Sequence, residues 1–151
     1  MNTLMKKQLK IFHLLQLAHS ALFKAANRKL KSEMQISTTQ LGVLFSLAKC
    51  DHAPITAIAD QLNMSYSSMS GVVDRMSKAE LVRREKNRND ARVQNVILLP
   101  KGKALCEQSN LNVRNINRAL LCEFSIEEQE IIARFLVHVA KNAEEIVCND
   151  N

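Results

Sequence analysis

The sequence predicts a mainly α-helical fold that carries one small β-hairpin. Only three glycines and two prolines punctuate 151 residues, too few breakers for a many-stranded β fold. Apolar residues recur at helical spacing through both ends of the chain. One short region, 81–86 followed by 92–99, is instead rich in Val, Ile and Leu around a polar turn. The length is that of about one domain. Hydrophobic residues make up 46% of the chain and aromatics 4% with no Trp, so a core is affordable and must be aliphatic.

Taken in order, residues 4–31 repeat Leu4, Ile11, Leu14, Leu15, Ala18, Leu22 and Ala25 at helical spacing. Phe12 and Phe23 widen that stripe beyond the one face a small monomer needs to bury. Ser37-Thr38-Thr39-Gln40 fits a capping box and opens a second helix, with Leu41, Leu44, Phe45, Leu47 and Ala48 facing inward. Thr56 is the expected N-cap of a short helix over 57–62, closed by Asn63. Ser65 then caps a helix over 66–79. Two short helices joined by a tight turn make a helix-turn-helix. Residues 81–86 and 92–99 form antiparallel strands around the turn 87–91, a wing with arginines on its limbs and tip. Pro100 suits the first turn of the next helix. Ser125-Ile126-Glu127-Glu128 is a second capping box, and it starts a last helix carrying Ile131, Ile132, Phe135, Leu136, Val139 and Ile146. The divisions expected are 1–36 for dimerisation, 37–99 for the winged module and 100–151 for dimerisation again, within one integrated domain.

Charge narrows the function. The formal net charge is +6, and residues 75–103 alone hold nine Lys/Arg against three acids, Glu80, Glu85 and Asp90. A basic patch concentrated in one stretch is the footprint of a polyanion partner. The four cysteines, at 50, 106, 122 and 148, form no Cys-x-x-Cys pair, so neither a zinc site nor a disulfide scaffold is expected. Cys50-Asp51-His52 offers ligand types, but three adjacent residues rarely converge on one ion without others. Gln8, Lys10, His13 and Gln16 interrupt the first apolar stretch, unlike a signal peptide, and no run approaches membrane-spanning length. A cytoplasmic protein is expected. The sequence holds no Gly-rich phosphate loop, paired catalytic carboxylates or nucleophile–His arrangement, so neither an enzyme nor a cofactor is expected.

The helix over 66–79 sorts its residues by face. Met69, Val72, Val73 and Met76 point one way, while Ser67, Ser68, Ser70, Gly71, Asp74 and Arg75 lie opposite. Small hydroxyl residues near a helix N-terminus allow close approach to the major groove and can donate to phosphates or base edges. Ser65, Tyr66, Ser67, Ser68 and Ser70, with Gly71 and Arg75, are therefore candidate double-stranded DNA contacts. Asp74 is unfavourable beside phosphate; it pairs with Arg75 or a wing arginine, or accepts from a cytosine amine. In the wing, Arg88 or Arg92 suits the minor groove, while Arg83, Arg84 and Lys86 suit phosphates. Asn89 and Asp90 complete the tip, where Asp90 and Arg92 either pair or stiffen the loop.

Ile58-Ala59-Asp60-Gln61-Leu62, Val72-Val73-Asp74-Arg75-Met76, Leu81-Val82-Arg83-Arg84, Lys101-Gly102 and Asn89-Asp90-Ala91-Arg92 together carry a resemblance. Through them the chain from 37 to 105 resembles the MarR (multiple antibiotic resistance regulator) family, whose Asp-x-Arg wing motif matches Asp90-Ala91-Arg92. Two positions depart from the pattern: Glu80 stands where Gly is usual and Pro100 where Thr is common. The resemblance implies a winged helix-turn-helix homodimer, interlocked by its first and last two helices. It also implies a repressor bound to a palindromic operator and released by a small phenolic or lipophilic effector, or by cysteine oxidation. His13, Leu17, Phe45 and Cys50 are the effector-pocket residues it suggests. The oxidation-sensing members carry a reactive Cys in the first helix, and none stands there in this sequence. A winged helix used for protein–protein contact is the remaining alternative, and it has no need of an arginine-rich wing.

Overall fold

Ser37 shows how closely local chemistry sets the helix boundaries. Its hydroxyl accepts from the Gln40 backbone N–H while its own N–H donates to Gln40 Oε1 at 2.8 Å, and the helix α2 (Thr38–Lys49) begins there. The computed structural model describes residues 10–148, so the expected start of the first helix at Leu4 lies outside the described residues. Before α2 runs α1 (Ile11–Met34); after it come β1 (Ala53–Pro54), α3 (Ile55–Gln61), α4 (Tyr66–Lys78), β2 (Val82–Lys86) and β3 (Gln94–Leu98). Then follow α5 (Pro100–Leu121) and α6 (Ile126–Cys148). The described residues form two compact units, divided between Glu107 and Gln108 inside α5.

The first unit holds the buried core. Leu44 and Leu47 of α2, Ile55 and Ile58 of α3, Met69, Val73 and Met76 of α4, and Val82 and Val96 of the sheet are almost wholly excluded from water. Leu30 and Met34 join α1 to this cluster, and Asn27 Oδ1 accepts from the Thr38 N–H at 3.2 Å. In α2, Leu41 and Val43 are also buried and Phe45 packs partly against the cluster, whereas Ala48, expected inward, is exposed. Between α2 and α3, Ser46 Oγ donates to Gln61 Oε1 at 2.5 Å, satisfying a hydroxyl inside the core.

The sheet has three strands in the order β1-β3-β2, one more than the expected hairpin. Residues 53 and 54 pair antiparallel with 96 and 95, and β2 pairs with β3 so that Arg84 stands opposite Val96. A two-residue strand is too short to show alternation, and Pro54 is tolerated because β1 lies at an edge. Beside it, Asp51 Oδ1 accepts from the Leu98 N–H at 2.9 Å, continuing the pairing with a side chain. The expected N-cap at Thr56 is corrected: α3 starts at Ile55 with Pro54 as its N-cap, and Thr56 lies within the helix. Burial of Ile55 anchors that earlier start. The strand expected from residue 92 begins at Gln94, because the Asp90 carbonyl accepts from the Val93 N–H and keeps 90–93 in the turn.

Pro100 opens α5 as expected, with the Leu99 carbonyl accepting the first helical bond from Lys103. At Gly102 the helix passes so close that a Cβ would collide with the Leu81 carbonyl oxygen and press on Leu98 and Leu44. In the second unit α6 starts at the expected capping box, in which Ser125 N–H donates to Glu128 Oε2 at 2.8 Å and Glu128 N–H to Ser125 Oγ at 3.3 Å. The Ser125 hydroxyl and backbone hydrogen bonding hold the Glu127 carboxyl below its usual range, the backbone contribution being the larger. Asn142 leaves helical geometry, and its Nδ2 donates to the His138 carbonyl at 2.9 Å. No described residue of α6 is buried, although Ile131, Leu136, Val137 and Ile146 are each about half exposed.

Candidate nucleic-acid interface

The helix α4 is capped by Ser65, whose hydroxyl accepts from the Ser68 backbone N–H at 3.2 Å. Met69, Val72, Val73 and Met76 are its buried face, as their spacing predicts. Tyr66, Ser67, Ser68, Asp74 and Arg75 are exposed, and Ser70 and Gly71 are half-buried. A Cβ placed on Gly71 would lie 3.7 Å from Arg75 Nη1, ordinary contact, so that surface is open. The C-terminal end is closed by the Leu81 N–H donating to Met76 O and the Glu80 N–H to Ser77 O, with Glu80 left-handed at φ 59. Lys101 Nζ adds a bond to the Ala79 carbonyl at 2.9 Å, a cap the sequence reading missed.

Asp74 is engaged by a wing-strand arginine. Arg84 of β2 places Nη2 at 2.7 Å from Asp74 Oδ1, 2.8 Å from the Ser70 carbonyl and 2.9 Å from Ser70 Oγ. Its Nε is buried with no hydrogen-bond partner among the described residues. The guanidinium is thus turned into the protein, between β2 and α4, while Arg83, Lys86, Arg88 and Arg92 are exposed. Arg83 faces Glu85 across 3.7 Å in a solvent-exposed pair, which holds it weakly.

The wing tip is organised by side chains bonding to backbone. Asn87 Oδ1 accepts from the N–H groups of Asn89 at 2.8 Å and Asp90 at 3.2 Å. Asp90 Oδ1 accepts from the Arg92 backbone N–H at 2.9 Å, so Asp90 stiffens the loop through the main chain. The Asn87 N–H donates to the Val93 carbonyl and closes the turn. Arg88, Asn89, Asp90 and Arg92 therefore project from a loop with its own internal bonds, on one module with α4. A polar cleft of about 390 Å³ lies beside it, lined by His52, Glu85, Lys86, Asn87, Arg88, Asn89 and Asn95.

The four residues expected around an effector do not line that cleft. His13, Leu17 and Cys50 are exposed, and Phe45 packs partly against the core. Asp51, beside Cys50, is occupied by the N–H groups of His52 and Leu98. Burial, and secondarily the neighbouring Glu107 charge, push the Cys106 thiol up, away from reactive thiolate. Cys122 is exposed just past the end of α5. Among the described residues no helix is long and apolar enough to cross a membrane.

The helix pair α3 and α4, packed on a three-stranded sheet with a basic turn, is a winged helix-turn-helix. Residues 36–93 match the sequence profile of the MarR family. The profile and the fold are those of DNA-binding transcriptional regulators. An uncharacterized HTH-type transcriptional regulator of Bacillus subtilis, YsmB, is 26% identical over 118 residues, 78% of this chain and 81% of that protein. The MepR–DNA complex of S. aureus superposes with a TM-score of 0.81 at 20% identity, covering 90% of this chain and 99% of that one. The PcaV transcriptional regulator of Streptomyces coelicolor, solved with its natural ligand, gives 0.73 at 19% identity, covering 89% and 92%.

Proposed function

We propose that this chain is a sequence-specific repressor that binds a palindromic operator as a homodimer and leaves it when a small lipophilic effector binds. The observation that carries the reading is one module offering two DNA-sized contacts. An exposed Ser/Gly/Arg face on α4 fits the major groove, and an internally bonded arginine loop fits the minor groove. Ser65, Tyr66, Ser67, Ser68, Gly71 and Arg75 present the first contact, with Ser70 beside them. Arg88 and Arg92, with Asn89 and Asp90, present the second. Arg83 and Lys86 approach phosphates, which position the protein without reading sequence.

Dimerisation is supported by α1 and α6, each of which carries apolar residues that the chain alone leaves uncovered, including Phe12 and Ile131. Dimer symmetry would set the two α4 helices about 34–36 Å apart, one turn of DNA. The effector rests on the family and on the ligand-bound fold relative, with His13, Leu17, Phe45 and Cys50 as its proposed surroundings.

Selection of bound fragments from a random DNA library tests the reading. The expected product is an inverted repeat with half-sites about one turn apart, and Arg92→Ala weakens binding to it by roughly tenfold or more. Recovery of no consensus, or full affinity in Arg92→Ala, rejects the wing as a DNA contact.

A further inference from the structure

We propose that Arg84 is a positioning residue which dedicates the Ser70 hydroxyl to hydrogen-bond donation, so that α4 selects an acceptor at the base facing Ser70. The inference rests on the DNA-binding reading above and deepens it. Arginine carries donors only, and Nη2 of Arg84 lies 2.9 Å from Ser70 Oγ. The Ser70 proton therefore cannot point at the guanidinium. Its usual escape within a helix is the carbonyl four residues back, that of Tyr66. No such bond is made, and Arg84 is the hydroxyl's one hydrogen-bond partner among the described residues.

What remains is an O–H free to donate away from Arg84, on a half-buried residue beside the exposed face of α4. In the major groove that proton matches guanine O6 or N7, adenine N7 or thymine O4, and it is mismatched to the exocyclic amines of cytosine and adenine. Asp74 keeps the arrangement in place. Its carboxylate takes the shortest of the three contacts, at 2.7 Å, and neutralises the guanidinium close to the proposed phosphate path. The same side chain ties β2, the limb of the wing, to the middle of α4, so the two DNA contacts move together. Arg84 would then lend stiffness and hydroxyl polarity without adding to the charge that meets phosphate.

Two variants of the full-length protein test this, each profiled against the library-selected operator and its single-base changes at several salt concentrations. Ser70→Ala leaves the Arg84–Asp74 pair in place and removes the donor alone. It should flatten the preference at one symmetry-related base pair by about five- to tenfold and leave the other positions unchanged. The charge-balanced double variant Asp74→Asn/Arg84→Gln should flatten the same position with the salt dependence unchanged, because the lost charges cancelled each other. Unaltered base preferences in Ser70→Ala would overturn the proposal. So would a double variant whose salt slope falls by about one per half-site, the mark of an arginine on phosphate. If the double variant does not fold, Ser70→Ala decides alone. Failure of the unmodified protein to select any sequence would instead sink the DNA-reading function itself.

Discussion

Glu80 holds a left-handed backbone, φ 59, where the chain leaves α4. Such a turn costs a residue with a Cβ about 1–2 kcal/mol, which is why glycine is favoured there. The departure from the family pattern was visible in the sequence, but its consequence is conformational: the helix ends on a normal pair of capping bonds despite the side chain. Glu80→Gly should therefore raise stability by about 1 kcal/mol, seen as a higher midpoint in urea with an unchanged slope. Asp74 teaches the complementary lesson. Sequence alone left it between Arg75, a wing arginine and a cytosine amine, because the partner stands ten residues away on another element. Only the register of β2 beside α4 brings Arg84 to 2.7 Å.

Among elements, helices with side-chain caps were the most legible. Ser37, Ser65 and Ser125 mark the true starts of α2, α4 and α6, since a cap is written within four residues. The start of α3 was less so, because Pro54 offers no side-chain cap and burial of Ile55 sets the boundary. The strand β1 escaped notice for a similar reason, as its two residues are defined by their partners on β3. In the wing, Asp90 works through the Arg92 backbone N–H. Asp90→Ala should loosen the loop, with faster hydrogen exchange at the Arg92 amide and DNA affinity lowered several-fold. Removing an acid beside phosphate would by itself strengthen binding, so a tighter complex would show that the loop order contributes little.

For the whole molecule, uncovered apolar surface was legible in the stripes of the first and last helices, and no described residue of α6 is buried. A 23-residue amphipathic helix left this open argues for a second copy as its cover. Sedimentation equilibrium should give twice the monomer mass, and Ile131→Asp should shift the balance to monomer and abolish tight operator binding. A monomeric native protein that still binds an inverted repeat tightly would separate the DNA function from the dimer. The proposed effector surroundings were the least legible part. The residues suggested for them, His13, Leu17, Phe45 and Cys50, have no shared spacing that would mark a pocket.

On this reading an exposed cationic wing and a capped serine-rich helix grip DNA together. The salt dependence of operator affinity measures that grip. With Arg83, Lys86, Arg88 and Arg92 contributing from each of two subunits, the logarithm of affinity should fall against log salt with a slope of about −6 or steeper. That is a loss of roughly four thousandfold or more between about 50 and 200 mM. A slope near zero would contradict the account.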